Sequence, residues 1–151
     1  MREIASLAEL RAQTGNEVAL SDWVEITQQR VNTFADATGD HQWIHVDVER
    51  CRRESPFGGP IAHGFLTLSL VPAMLEGALA LPFVRMGLNY GLNKVRFTSP
   101  VPVGSRLRAR MTLQAVEDIE GGAQMAWNVL VEAEGSARPA CVAEFLVRMY
   151  D

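Results

Sequence analysis

The sequence has few of the residues that mark secreted, disulfide-stabilised or nucleic-acid-binding proteins. It contains 151 residues and two cysteines, Cys51 and Cys141, without CxxC spacing, and its first ten residues lack the continuous apolar run of a signal peptide. We therefore expect two reduced thiols in a cytoplasmic protein. The net charge of −4 argues against nucleic acid or an anionic membrane as an obligate partner.

The sequence also lacks an uninterrupted apolar run of membrane-spanning length. Its most apolar segment, GFLTLSLVPAMLEGALALPFV at residues 64–84, has about that length but contains Pro72, Glu76 and Pro82. We interpret this segment as a buried helix. With 48% hydrophobic and 21% charged residues and no repeat or linker, the composition predicts a single domain over residues 1–151.

The first half of the chain contains three residues that can cap helices. Ser6, Thr27 and Asp47 each precede an amphipathic or polar segment, and their side chains can accept a hydrogen bond from a first-turn N–H. The predicted elements are a helix over residues 7–13, a strand over residues 18–26, a helix from residue 28 to Gly39, and a helical turn from residue 48 through Cys51.

The second half of the chain changes from one long helix to a series of strands. The loop SPFGGP at residues 55–60 precedes an apolar helix over residues 61–80, which Pro72 should kink. Alternating strands with short connections follow and imply an antiparallel meander. We predict an α+β fold in which a curved antiparallel sheet wraps one central helix. The uncovered sheet edge predicts pairing with a second copy.

The segment TGDHQWIHV, residues 38–46, places two of the three histidines beside an aspartate. Asp40, His41, His45 and the later His63 are suitable metal ligands, but no HExxH-like pattern is present and Gly39 argues against a helix that would fix their spacing. A loop that satisfies its own backbone is a second interpretation. The third is an acid–base pair formed by Asp40 and His45.

The later segment GGPIAHGFLTLS, residues 58–69, favours the acid–base interpretation. A glycine-rich loop leads directly into a helix whose first N–H groups lack partners, and Gly64 has no side chain to block a substrate oxygen. Close helix packing is the alternative role for this glycine. A carboxylate, an imidazole and an oxyanion donor together suit the addition of water to a double bond conjugated to a carbonyl.

These motifs resemble those of the MaoC-like dehydratase family, which includes the R-specific enoyl-CoA hydratases. The resemblance rests on FADATGDHQWIH at residues 34–45 followed by GPIAHG, and extends through NYGLNKVRF, PVPVGSRLRA and ACVAE. It is strongest to the nodulation-protein-N-like branch, which includes mycobacterial 3-hydroxyacyl-thioester dehydratases. The resemblance implies a hot-dog fold, a homodimer, and reversible syn hydration of trans-2-enoyl-CoA without a metal or redox cofactor.

The resemblance also implies roles for individual residues. Asp40 and His45 match the catalytic pair, and Gly64 matches the amide that binds the thioester carbonyl. Asp40 is our first choice for the base and His45 for the proton donor, although the reverse assignment is also possible because the two groups titrate as a pair. The family usually has Asn-Pro where this chain has Gln42-Trp43, so Gln42 could supply an amide while Trp43 alters the pocket.

Several other residues carry two interpretations. We expect His63 to pack or cap a helix rather than to contact substrate. The residues that could line the pocket or simply satisfy a strand end are Asn89, Tyr90 and Asn93. The residues that could bind CoA phosphates or simply lie on a solvated face are Lys94, Arg96, Arg106 and Arg108. The alternative functions are an acyl-CoA thioesterase, which would not require His45, and a non-catalytic acyl-thioester-binding subunit. The acyl carrier is either CoA or an acyl carrier protein.

Overall fold

A computed structural model describes residues 1–151, which form an α+β arrangement. The helices are α1 (Leu7–Ala12), α2 (Gln28–Thr38), α3 (Trp43–Val46), α4 (Val48–Glu54), α5 (Gly64–Ser69) and α6 (Val71–Ala78). The strands are β1 (Arg2–Glu3), β2 (Glu17–Leu20), β3 (Val24–Glu25), β4 (Leu79–Ala80), β5 (Met86–Arg96), β6 (Arg106–Ile119), β7 (Gly122–Ala133) and β8 (Cys141–Tyr150).

The main sheet is antiparallel, with the strand order β2-β6-β7-β8-β5 and with β3 also paired to β6. The predicted meander is confirmed for β6, β7 and β8, and β5 returns to the far side of β8. Every second residue of β8 is buried, as expected for a strand with one face on a core. Strands β1 and β4 form a separate parallel pair.

Two short helices, α5 and α6, lie where the sequence predicts one long helix. The helical region begins at Gly64 rather than residue 61, and Leu70 separates its two parts. Pro72 lies in the first turn of α6, two residues after Leu70, so the helix is interrupted beside the proline at which a kink was predicted. Because the Leu70 N–H bonds to Leu66 and the Met74 N–H bonds to Leu70, the helical bonding pattern continues across the junction.

The helices and the sheet share one core. A cluster of 28 buried residues combines Leu66 and Met74 of the helices with Trp127 and Phe145 of the strands. None of the helices combines the length and the hydropathy that crossing a bilayer requires. Both cysteines are buried and free.

The caps are confirmed, but the first predicted strand is wrong. Ser6, Thr27 and Asp47 accept hydrogen bonds from first-turn N–H groups of α1, α2 and α4. The segment 18–26 is divided into β2 and β3. The division follows from Ser21, whose hydroxyl accepts a hydrogen bond from the Ala109 N–H at 2.9 Å and donates one to the Asp22 carbonyl. A side chain thus replaces part of the strand ladder.

Candidate active site

Asp40 is the first residue after the turn that ends α2. Gly39 adopts the left-handed conformation with φ of +80°, and its N–H donates to the Ala35 carbonyl at 2.8 Å. The Asp40 carboxylate is exposed and receives a long hydrogen bond of 3.4 Å from the Gln42 N–H. The carboxylate therefore has no strong partner in the chain.

His45 lies on the single turn of α3, a helix that was not predicted. The residue is 7% exposed, and its Nδ1 lies 2.7 Å from the Ile61 carbonyl oxygen. Because a carbonyl can only accept, Nδ1 carries the hydrogen and Nε2 keeps a free lone pair. Burial lowers the pKa of His45 below its ordinary value of 6.5, and His63 lowers it further, against the opposing effects of the Ile61 bond and Asp40.

His63, which we expected to pack or to cap a helix, contacts both Asp40 and His45. It is 3% exposed, and its Nε2 donates to the Asp40 backbone carbonyl at 3.0 Å. Its ring stacks on the His45 ring with centroids 3.8 Å apart and planes inclined by 24°. His63 also precedes Gly64 directly, so it joins the acid–base pair to the first turn of α5.

The side chains of Asp40, His45 and His63 converge. One carboxylate oxygen and one ring nitrogen from each histidine lie within 4.8 Å of one another. Two acceptors that each lie about 2.8 Å from one water are about 4.6 Å apart at a tetrahedral angle. The spacing therefore suits a single bridging water between Asp40 and His45.

The same three residues are a poor metal site because of the histidine stack. A ring nitrogen directs its lone pair in the plane of its ring, and a bound metal lies about 2.1 Å away in that direction. The His45 and His63 planes are inclined by only 24°. Two stacked planes at this angle do not share a point so close to both rings, so the lone pairs do not meet at one ion.

Neighbouring elements hold α3 in place. The Gln28 side-chain amide donates to the His45 carbonyl at 2.8 Å, and the Cys51 thiol donates to the Trp43 carbonyl at 3.3 Å. The Trp43 ring packs under the Arg50 guanidinium at 4.1 Å from its centroid. The Trp43 ring therefore packs against α4, so it affects the shape of the site less directly than we expected.

Gly64 begins α5, and the structure supports the packing interpretation of its missing side chain. A Cβ at this position would lie 2.6–2.9 Å from three ring carbons of Phe97. Phe97 in turn packs edge-on against Phe65 at 5.7 Å. A crevice of about 160 Å³ lies beside Gly64 and is lined by Thr67, Phe97 and Val101 among others, but not by Asp40 or His45.

The remaining predicted residues lie away from this cluster or contribute little to its bonding. His41 is turned to solvent and bonds Asp36 at 2.9 Å, which raises its pKa. Gln42 is exposed at the start of α3, where its side chain caps nothing. Arg106 and Arg108 form ion pairs with Glu134 and Glu132 on the sheet, as a solvated face predicts.

Comparison with known proteins identifies the family. The model of the MaoC like domain matches residues 9–134. The chain belongs to the MaoC-like dehydratase family. It is 56% identical to 3-hydroxyacyl-thioester dehydratase Z of Mycobacterium tuberculosis over 98% of both chains. It is 47% identical to nodulation protein N of Rhizobium leguminosarum bv. viciae over 93% of this chain and 89% of that protein.

Solved structures confirm the fold of this MaoC-like protein. The unliganded R-hydratase PhaJ1 from Pseudomonas aeruginosa superposes with a TM-score of 0.70 over 91% of this chain and 82% of that chain, at 22% identity. The likeness confirms the predicted hot-dog fold, with the antiparallel sheet around α5 and α6.

Proposed function

We propose that this MaoC-like protein is a 3-hydroxyacyl-thioester dehydratase, which in the reverse direction is an R-specific enoyl-thioester hydratase. The enzyme is a hydro-lyase. The observation that carries the proposal is the Asp40 carboxylate within 4.8 Å of a His45 ring nitrogen, together with the unprotonated Nε2 that the Ile61 bond leaves on His45. The name of the mycobacterial relative supports the same reaction.

In the proposed mechanism the thioester carbonyl binds at the Gly64 amide. This N–H makes no backbone hydrogen bond. The helical hydrogen bonding of α5 continues into α6. As water adds to Cβ, negative charge develops on the carbonyl oxygen, and an N–H directed at that oxygen stabilises the enolate. The exposed Gln42 amide supplies a further substrate contact.

Asp40 and His45 handle the water in this scheme. Asp40 accepts one hydrogen bond from the water, and the lone pair of His45 Nε2 accepts the other. The water oxygen bonds to Cβ as Nε2 takes its proton, and the same ring then gives that proton to Cα. Because the hydroxyl and the proton come from one side, the addition is syn. The free Nε2 favours His45 as the base over our first assignment of Asp40.

We further propose that the substrate is an acyl thioester of CoA or of an acyl carrier protein and that the enzyme is a homodimer. Strand β5 pairs with β8 along one edge, and its other edge is open. Exposed apolar side chains follow this strand, including Met86, Leu88 and Leu92. A second copy pairing along β5 would cover them. The cytoplasmic location stays a prediction.

A hydration assay with chiral analysis tests the proposed reaction. Trans-2-enoyl-CoA substrates of increasing chain length should lose their enoyl-thioester absorbance and give the R-3-hydroxyacyl product. Release of free thiol without hydration would instead indicate a thioesterase. Tight binding without turnover would indicate a non-catalytic subunit, and an S product would contradict the proposed stereochemistry.

A further inference from the structure

We propose that His63 is a positioning residue, which holds the Asp40 backbone and the His45 ring in one arrangement so that their shared water faces the substrate. This inference rests on the proposed function. His63 does not itself exchange a proton with the substrate in this scheme. It acts through two contacts, one to each member of the acid–base pair.

The first contact fixes the turn that carries Asp40. The Asp40 carboxylate has only the long bond from Gln42, so its position depends on its backbone. The His63 Nε2–H donates to the Asp40 carbonyl at 3.0 Å. This bond joins residues 23 positions apart and anchors the turn after α2 to the start of α5.

The second contact fixes the His45 ring. The Ile61 carbonyl holds one edge of that ring through Nδ1 at 2.7 Å, and His63 covers one face at 3.8 Å. The Ile61 bond and the His63 stack together fix the direction in which Nε2 of His45 points. Phe34 of α2 packs on His63 at 4.9 Å with planes inclined by 59°, so the stacked ring is itself held.

Packing alone does not explain a histidine at this position. Nδ1 of His63 is buried and has no hydrogen-bond partner, and an unpartnered buried acceptor destabilises a protein. An apolar ring of similar size would fill the same space without that loss. What histidine adds is the Nε2–H that reaches Asp40.

Two variants separate the contacts. His63→Phe keeps a flat ring for the stack but has no N–H for Asp40, whereas His63→Gln keeps an amide N–H in reach of Asp40 but has no ring. We expect each to lower kcat by about 10- to 100-fold, the usual cost of a small misplacement, with KM little changed. The matched control is His41→Gln, which removes an exposed histidine beside Asp40 and should leave kcat unchanged.

The pH dependence distinguishes a loss of positioning from a general loss of packing. His63→Gln removes the covering ring, so the pKa of His45 should rise toward 6.5 and the acidic limb of kcat/KM should move to higher pH. His63→Phe keeps the His45 ring covered and loses only the lowering effect of the His63 imidazole itself, so its acidic limb should move less than that of His63→Gln. Identical kcat values and pH profiles in wild type and both variants would overturn the positioning role while leaving the proposed function intact.

Nitrogen NMR of the substrate-free wild type tests the arrangement of the two rings. It requires neither an activity assay nor a variant that folds. The bonds to Ile61 and Asp40 require a hydrogen on Nδ1 of His45 and on Nε2 of His63. A His63 ring with its hydrogen on Nδ1 would overturn the inference. A wild type with these tautomers but no hydratase activity would contradict the proposed function instead.

Discussion

The backbone decides which nitrogen each histidine offers to the site. Ile61 engages Nδ1 of His45 and so leaves Nε2 as an acceptor, whereas the Asp40 carbonyl engages Nε2 of His63 and leaves Nδ1 enclosed. In the proposed mechanism, the two stacked imidazoles therefore have different roles. One can take a proton from water, and the other holds its neighbours.

The burial of His45 predicts the pH dependence of the reaction. As the proposed base, His45 must be uncharged, so activity should fall as the pH drops through its pKa. Since burial lowers that pKa from 6.5, activity should persist below pH 6.5 before it declines. The measurement is kcat/KM for crotonyl-CoA against pH, which reports the free enzyme. An acidic limb centred above pH 6.5 would contradict this assignment.

At the scale of the element, the start of α5 depends on the contact between Gly64 and Phe97. Gly64→Ala would place a Cβ 2.6–2.9 Å from the Phe97 ring carbons, and such overpacking costs about 1–3 kcal/mol. We expect a lower free energy of unfolding and lower kcat, because the ring or the Gly64 amide must move. Denaturant unfolding and hydration kinetics measure the two effects.

A second substitution shows whether Phe97 is the cause. Phe97→Leu, which replaces the ring with a smaller side chain, should recover part of the loss when combined with Gly64→Ala. Phe97→Leu alone provides the reference for the cycle. Strictly additive effects of the two substitutions would show that the glycine is needed for another reason, such as the approach of the substrate.

The predictable elements are those with local causes. Ser6, Thr27 and Asp47 bond to N–H groups three residues later, so each cap could be identified from the adjacent sequence. The split between β2 and β3 could not, because Ser21 bonds a residue 88 positions away. For the same reason the contacts of His63 could not be predicted, since its partners lie on α3 and in the turn after α2.

The two residues of the candidate pair lie in one short motif, but the geometry that brings them together did not follow from their spacing. Asp40 and His45 lie five residues apart, and the short turn of α3 brings their polar atoms within 4.8 Å. The Phe97 ring against Gly64 was not foreseen, because it comes from the end of β5. Local sequence thus indicated the candidate residues, and long-range packing determined how they are held.

At the scale of the whole molecule, the open edge of β5 predicts a dimer that charge can disrupt. Leu88→Arg places a cation at a side chain that is 47% exposed on this edge, and it should shift the enzyme toward monomers. Leu20→Arg is the matched control, since Leu20 is 43% exposed on β2 at the opposite edge.

Light scattering during size-exclusion chromatography measures the result. The wild type and Leu20→Arg should have twice the 16.6 kDa mass of one chain, and Leu88→Arg should approach that single mass. A dimeric Leu88→Arg together with a monomeric Leu20→Arg would place the interface at the other edge of the sheet.

The most direct test of the central claim is a kinetic comparison of Asp40→Asn, His45→Gln and the double variant. If the two side chains hold one water, each single variant should lower kcat by about 10²- to 10⁴-fold. The double variant should be little worse than the slower single variant, because the residues act as a unit. Near-normal rates in either folded single variant, or losses that simply multiply in the double variant, would contradict a shared water.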